Sequence, residues 1–262
     1  MSTGKAETER VVEALRAAGC VFAEEEAELL LAAAAEGADL ARMVELRTAG
    51  RPLEHVIGWA EFCGLRMAVG EGAFVPRRRT EFLVQQAAAL ARPGAVVVDL
   101  CCGVGAVGAA VAAAVPGMEL HAADIDPVAL GHARRNVAPY GGRVHEGDLY
   151  AALPAGLRGR ITLLVVNAPY VPTDSIPLLP PEARDHEPRT ALDGGPDGLA
   201  IQRRVAAEAP SWLAEGGHLL IETSTRQSPS TASAMTSAGL TVHAASSEEW
   251  SATVVTGHLP LR

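Results

Sequence analysis

No cysteine in this chain is spaced as a metal site or a disulfide framework would require. The four, Cys20, Cys63, Cys101 and Cys102, form no C-x-x-C pair and two are adjacent, so a reducing, cytoplasmic setting is the expectation. The eight histidines are scattered, with no H-E-x-x-H and no clustering with cysteine, which argues against metal ligation. No G-x-S-x-G occurs and no nucleophilic triad is suggested. Positive charge is also short: 22 Lys and Arg against 31 Asp and Glu give a formal charge of −9. A broad grip on nucleic-acid backbone needs the opposite balance, so direct nucleic-acid binding is not expected. No apolar run approaches the roughly 20 residues that cross a bilayer, which argues against a membrane protein. The opening MSTGKAETERVVEALRAAG carries charges where a secretion signal needs an apolar core.

What is present is enough for a full core. The chain has 262 residues, 48% of them hydrophobic, which suits one domain of ordinary size with a small appendage. Over residues 1–52 apolar positions recur at three and four, with Gly19, Gly37 and Gly50 as stops, and this spacing predicts two or three short helices in a small N-terminal domain. The acidic run Glu24 to Glu26 reads as a solvated helix start. Residues 53–78 hold HVIGWAEFCGLRMAVGEGAFV, whose alternation broken by Gly64, Gly70 and Gly72 predicts a β-hairpin linker. From 79 to 262, apolar strand-like runs such as AVVVDL and ITLLVVN alternate with helical ones. That pattern predicts an α/β, Rossmann-like, doubly wound seven-stranded sheet covered on both faces, its two tail strands pairing antiparallel at an edge.

In such a sheet, ligands sit beyond the carboxyl ends of the strands. The first end reads VVVDLCCGVGAVG, where Gly103, Gly105 and Gly108 satisfy G-x-G-x-x-G. Either backbone approaches a ligand there, or a tight turn needs small residues. Asp99 sits four residues before Gly103, an awkward neighbour for a pyrophosphate. The second end, Asp124, is placed to accept both hydroxyls of a ribose. Asp126 is the alternative, but it precedes Pro127 and reads as a helix cap. At the third end, Asp148 in EGDLY suits either an adenine amino group or a helix cap. Together these describe a site for a nucleoside without phosphates, which points to S-adenosylmethionine.

The fourth strand breaks into Asn167, Ala168, Pro169 and Tyr170. An amide nitrogen is a poor nucleophile and has to be held by acceptors. The Asn167 side-chain oxygen and the Ala168 carbonyl supply two, Pro169 removes a competing donor, and Tyr170 offers a flat face. With RPLEHVIGWAEFCGLRMAVGEGAFVPRRRTEFLV upstream, then DLCCGVGAVG, ADIDPVAL, GDLY and NAPY, and HEPRTALDGGPDGL and GGHLLIE downstream, the chain resembles the HemK-like protein glutamine methyltransferases. The resemblance covers almost the whole chain. It implies methyl transfer from S-adenosylmethionine to the glutamine amide in the Gly-Gly-Gln motif of peptide-chain release factors, with the N-terminal helical domain recognising the substrate. It implies cofactor contacts from Asp99, Cys101, Gly103, Gly105, Asp124, Ile125, Asp148, Leu149 and Asn167. Catalysis falls to Asn167, Ala168, Pro169 and Tyr170.

The chain departs from the family where Ala168 replaces the first of two prolines, and where Arg78 and Arg79 stand for the usual proline and acidic residue. The N-terminal domain also looks short. These differences leave open a paralogue acting on another protein or a small molecule. A nicotinamide dehydrogenase would share the glycine turn, but Asp99 and the tetrapeptide argue against it. A nucleic-acid amino methyltransferase would share the tetrapeptide but not the acidic balance, and a non-catalytic binding module would keep the pocket alone. His186 reads as a surface or rim residue. Thr173 to Gly198 is long and proline-rich, and reads as a substrate cover or a mobile surface loop.

Overall fold

The computed structural model describes residues 2–261. Three amphipathic helices open the chain: α1 (Ser2–Ala17), α2 (Ala23–Ala35) and α3 (Leu40–Thr48), with Asp39 capping α3 by accepting the Arg42 N–H at 3.1 Å. Gly19, Gly37 and Gly50 follow them with positive φ, as stops should. Val11, Leu15, Ala27, Leu30 and Met43 make their common core. A short α4 (Leu53–Ile57) adds Leu53, Val56 and Ile57 to the edge of this cluster, so helical packing runs a few residues past position 52. Within the acidic run, Glu24 and Glu25 are exposed but Glu26 is buried. It receives a two-point ion pair from the Arg47 guanidinium at 2.6 and 3.0 Å, because α2 turns that one carboxylate towards α3 rather than to water.

Strands β1 (Trp59–Phe62) and β2 (Leu65–Ala68) form an antiparallel hairpin. Its two-residue turn, Cys63 and Gly64, takes positive φ at both positions, the twist that suits tight hairpins. Phe62, Met67 and Val69 pack into the main core, so the hairpin leans on the sheet domain.

That domain alternates as its sequence predicts. In order come α5 (Glu81–Leu90), β3 (Val96–Leu100), α6 (Ala106–Ala114), β4 (Glu119–Asp124), α7 (Pro127–Val137), β5 (Arg143–Glu146) and β6 (Ile161–Val166). After them come α8 (Pro181–His186), α9 (Arg189–Leu192), α10 (Ala200–Glu208), β7 (Leu213–Thr223), α11 (Ser228–Ser237), β8 (Thr241–Ser247) and β9 (Ala252–His258). The sheet has seven strands in the order β5-β4-β3-β6-β7-β9-β8, parallel except for β9. Alternate residues feed two cores: Val97, Leu163 and Val165 face α5 and α6, while Val98, Leu164 and Val166 face the α10 side. The tail strands do pair antiparallel, but β9 slots between β7 and β8. Hydropathy explains it, since Ala252, Val254 and Val255 are buried and β8 is largely exposed. The winding reverses between β3 and β6, which opens the sheet's carboxyl edge there.

Candidate active site

A cavity of about 1010 Å³ lies over that edge. Its floor comes from the turns after β3, β4, β5 and β6, and its walls from the linker before α5 and the segment between β6 and α10. After β3 the chain kinks at once, with Cys101 at φ 59 and Gly103 at φ 53. A Cβ on Gly103 would meet nothing, so this glycine leaves open room at the cavity. Gly105 and Gly108 do something else. A Cβ on Gly105 would press within 3.3 Å of Ala133 in α7, and one on Gly108 within 3.1 Å of Asp99. They allow close packing, and neither lines the cavity.

Asp99 also lies outside the lining, which differs from its place in the cofactor set read from sequence. Strand alternation turns its side chain under α6, where it accepts the Gly108 N–H at 2.8 Å. Burial pushes its carboxyl up to about 7. Asp124, Ile125, Asp148, Leu149, Cys101 and Gly103 do converge on the cavity. Asp124 Oδ2 accepts the Gly103 N–H at 2.8 Å and Oδ1 accepts the Asp126 N–H at 3.0 Å, which ties the first two strand ends together. Burial raises its pKa, opposed by these amides. Asp126 caps α7 through the Val128 N–H at 2.9 Å, as its place before Pro127 predicts. Asp148 makes no cap; it is exposed and its carboxylate pairs with Arg204 of α10 at 2.6 Å. His186 ends α8 outside the cavity wall.

Asn167, Ala168, Pro169 and Tyr170 line the cavity after β6. Asn167 Nδ2 donates to Thr80 Oγ1 at 3.3 Å, and the Tyr170 hydroxyl donates to Glu222 Oε1 at 3.4 Å. Burial pushes the Tyr170 phenol up to about 12, and the Arg79 guanidinium lies 5.8 Å over its ring. Residues 173–198 fold back along the tetrapeptide. Val171 N–H donates to Leu192 O and Gly194 N–H to Val171 O, while Gln227 Nε2 donates to both Tyr170 O and Asp197 O at 3.0 Å. A Cβ on Gly198 would fall 2.2 Å from Tyr170 O, and one on Gly194 2.7 Å from Pro169 O, so only glycine lets this segment press so close. The same segment is fastened outward. Glu182 pairs with Arg47 at 2.6 Å, and Glu187 accepts from Arg77 at 2.5 Å and from the Val75 N–H at 3.1 Å.

Sequence reading passed over Thr80, Glu222, Gln227 and Glu187. Glu222 had a signal, since an acid ending the apolar run HLLIE matches the places of Asp99 and Asp124. The others became visible only through tertiary contacts. Among the described residues no group of three or more His, Cys, Asp or Glu is placed to hold a metal ion, and no helix is long and apolar enough to cross a membrane.

Residues 78–175 match the family model for the methyltransferase small domain. Among sequence relatives, a release factor glutamine methyltransferase of Mycolicibacterium smegmatis is 40% identical over 199 residues, covering 75% of this chain and 70% of that protein. One of Geobacter sulfurreducens is 38% identical over 182 residues, 69% of this chain but only 63% of its own length. A 4-amino-L-phenylalanine/4-methylamino-L-phenylalanine methyltransferase of Streptomyces pristinaespiralis is 35% identical over 210 residues, 78% of this chain and 71% of that one. The fold matches a methyltransferase from Pyrococcus furiosus with a TM-score of 0.58 at 15% identity, over 76% of this chain and 90% of that one.

Proposed function

Since this chain belongs to the release factor glutamine methyltransferase family, we propose that it is an S-adenosylmethionine-dependent N-methyltransferase acting on the glutamine side-chain amide in the Gly-Gly-Gln motif of a peptide-chain release factor. The observation that carries the reading is the meeting, in one cavity, of the half-buried Asp124 with Asn167 and its tetrapeptide.

The residues fit the cofactor. The Asp124 oxygens accept the Gly103 and Asp126 N–H groups and retain acceptor capacity for ribose hydroxyls, and two such donors would offset the burial that raises its pKa. Ile125, exposed on the cavity side, offers an apolar surface for an adenine ring, with Leu149 and Cys101 nearby. Bound there, S-adenosylmethionine supplies a methyl group activated by its sulfonium.

The chain's part is to hold the acceptor nitrogen. Asn167 Nδ2 is engaged by Thr80, which leaves Oδ1 to serve as one acceptor. The Ala168 carbonyl, which accepts no hydrogen bond from the described residues, is the second. Two fixed acceptors orient the nitrogen and stabilise positive charge as it develops there. Tyr170 closes the site, held by Glu222 and backed by Arg79.

The Streptomyces pristinaespiralis relative and Ala168 favour one second reading, a small arylamine acceptor, whose NH₂ would meet the same two acceptors. One experiment separates them. The purified protein is given S-adenosylmethionine with either a recombinant release factor or 4-amino-L-phenylalanine, and both products are read by mass spectrometry. Methyl on the Gly-Gly-Gln glutamine supports the first reading, methyl only on the amino acid supports the second, and methyl on neither refutes both.

A further inference from the structure

Gln227 lies outside the cavity lining, yet two parts of the cavity wall hang from it. It stands in the turn between β7 and α11 and is 7% exposed. Ser224 Oγ donates to its Oε1 at 2.6 Å, which fixes the oxygen end of the side-chain amide. The nitrogen end faces two main-chain oxygens: Nε2 donates to Tyr170 O and to Asp197 O, each at 3.0 Å. An NH₂ group has two hydrogens and a main-chain carbonyl only accepts, so each hydrogen has its own partner. The flipped amide would set its oxygen against both carbonyls.

Tyr170 ends the tetrapeptide, and Asp197 belongs to the segment folded against it. Glycine makes the seam between them tight. Gly198 has φ +76, and a Cβ there would overlap Tyr170 O and Gln227 Nε2, while one on Gly194 would fall 2.7 Å from Pro169 O. Along the same seam Gly194 N–H donates to Val171 O at 2.9 Å and Thr173 N–H to Gly195 O at 3.0 Å. Leu192, Asp193, Gly194 and Gly195 line the same cavity as Asn167 to Tyr170. We propose that Gln227 is a positioning residue that locks residues 192–198 to the tetrapeptide, so that the acceptor side of the cavity is formed before substrate arrives rather than closing over it. This stretch is then a fixed wall and not a lid. Position 168 is alanine, which does not stiffen the turn as proline would, and the restraint comes instead from across the seam. The inference rests on the methyl-transfer reading for its substrate, but the seam itself is observable without turnover.

Gln227→Glu keeps nearly the same shape and removes the donors. A carboxylate there sets oxygen against two carbonyl oxygens, whereas the protonated acid has one hydrogen to give. Those neighbours favour the neutral form and raise its pKa. In single-turnover methyl transfer, Gln227→Glu is expected to be slower than the parent by roughly 10-fold to 100-fold at about pH 8, and to recover part of that ratio as pH falls. Gln227→Leu donates at no pH and should stay slow throughout. Calorimetric affinity for S-adenosylmethionine should change less than about 2-fold in both, since Gln227 does not touch the cofactor. The second readout is amide hydrogen exchange by mass spectrometry. Exchange over residues 171–173 and 194–200 should be about 10-fold faster in both variants, with β4 and β5 unchanged. Parental exchange in those two stretches overturns the proposal, as does a Gln227→Glu rate that is parental or shows no recovery at low pH. Faster exchange throughout the chain, with cofactor affinity lost, would mark a role in folding alone and overturns it too. If the parent methylates neither acceptor, the functional reading fails and the exchange measurement still decides the role of Gln227.

Discussion

Arg47 in α3 and Glu182 in α8 meet at 2.6 Å, and the same guanidinium holds the buried Glu26. One cation therefore fastens the N-terminal helices to the segment that walls the active-site cavity. Its two partners differ in exposure, because Glu26 is buried and the Glu182 side chain is 46% exposed. Arg47→Ala should cost about 3–5 kcal/mol, since it strands a buried carboxylate. Glu182→Gln should cost no more than about 1 kcal/mol, the scale of an exposed pair. That second variant is expected to raise KM for the acceptor and leave cofactor affinity unchanged. Urea denaturation with steady-state kinetics checks both, and equal destabilisation by the two variants would contradict this division.

Asp124→Ala should weaken S-adenosylmethionine binding by about 1–3 kcal/mol, because two ribose hydroxyls would lose a charged acceptor. Calorimetry reads this directly. An unchanged affinity would remove Asp124 from the cofactor site and, with it, the reason for choosing a nucleoside over other ligands.

Asn167→Ala should leave cofactor affinity nearly intact and lower turnover roughly 10²- to 10³-fold, the scale of losing one preorganised polar partner. Ala168→Pro should be neutral or mildly activating, because it stiffens the turn and retains the carbonyl. Single-turnover transfer on the acceptor identified by mass spectrometry decides. Parental turnover in Asn167→Ala would leave the tetrapeptide without its assigned role.

Stability should depend on pH through Asp99. Its carboxyl titrates at about 7 in the folded chain because of burial, whereas in the unfolded chain an aspartate titrates near its ordinary value of about 3.9. Between those values the folded state keeps a proton that the unfolded state has lost. Folding stability therefore falls as pH rises through that window, by at most about 1.4 kcal/mol per unit for this group. Asp99→Asn preserves an oxygen for the Gly108 N–H and should flatten the slope. Denaturation midpoints at about pH 4.5 and about pH 7.5 test it, and an unchanged slope in the variant would place the titration elsewhere.

Much of this molecule was legible in its sequence because the signals were local. The alternation of apolar strands and helices, the hairpin broken at Gly64 and the cap before Pro127 each depend on neighbours in the chain. What stayed hidden depends on where distant elements meet. Nothing in GGHLLIE says that Glu222 reaches the Tyr170 hydroxyl, 52 positions away in the chain. The acidic run in the first turn of α2 read as solvated because Arg47, the partner of Glu26, lies on the next helix. The glycine turn was legible as a turn, but division of labour among its glycines was not: Gly103 opens the cavity, whereas Gly105 answers to Ala133 in another helix.

The seating of β9 between β7 and β8 bears on how the chain must be made. Leu219, Leu220 and Ile221 of β7 are wholly buried, yet the strand that completes one of its hydrogen-bonding edges begins only at Ala252. During synthesis β7 and then β8 emerge before it, and until residues 252–258 arrive, β7 carries an open, strongly apolar edge that invites pairing with another chain. A chain interrupted shortly before Ala252 would expose that edge permanently. Such fragments are expected to aggregate rather than persist as active enzyme, even though every residue of the cavity wall precedes the break.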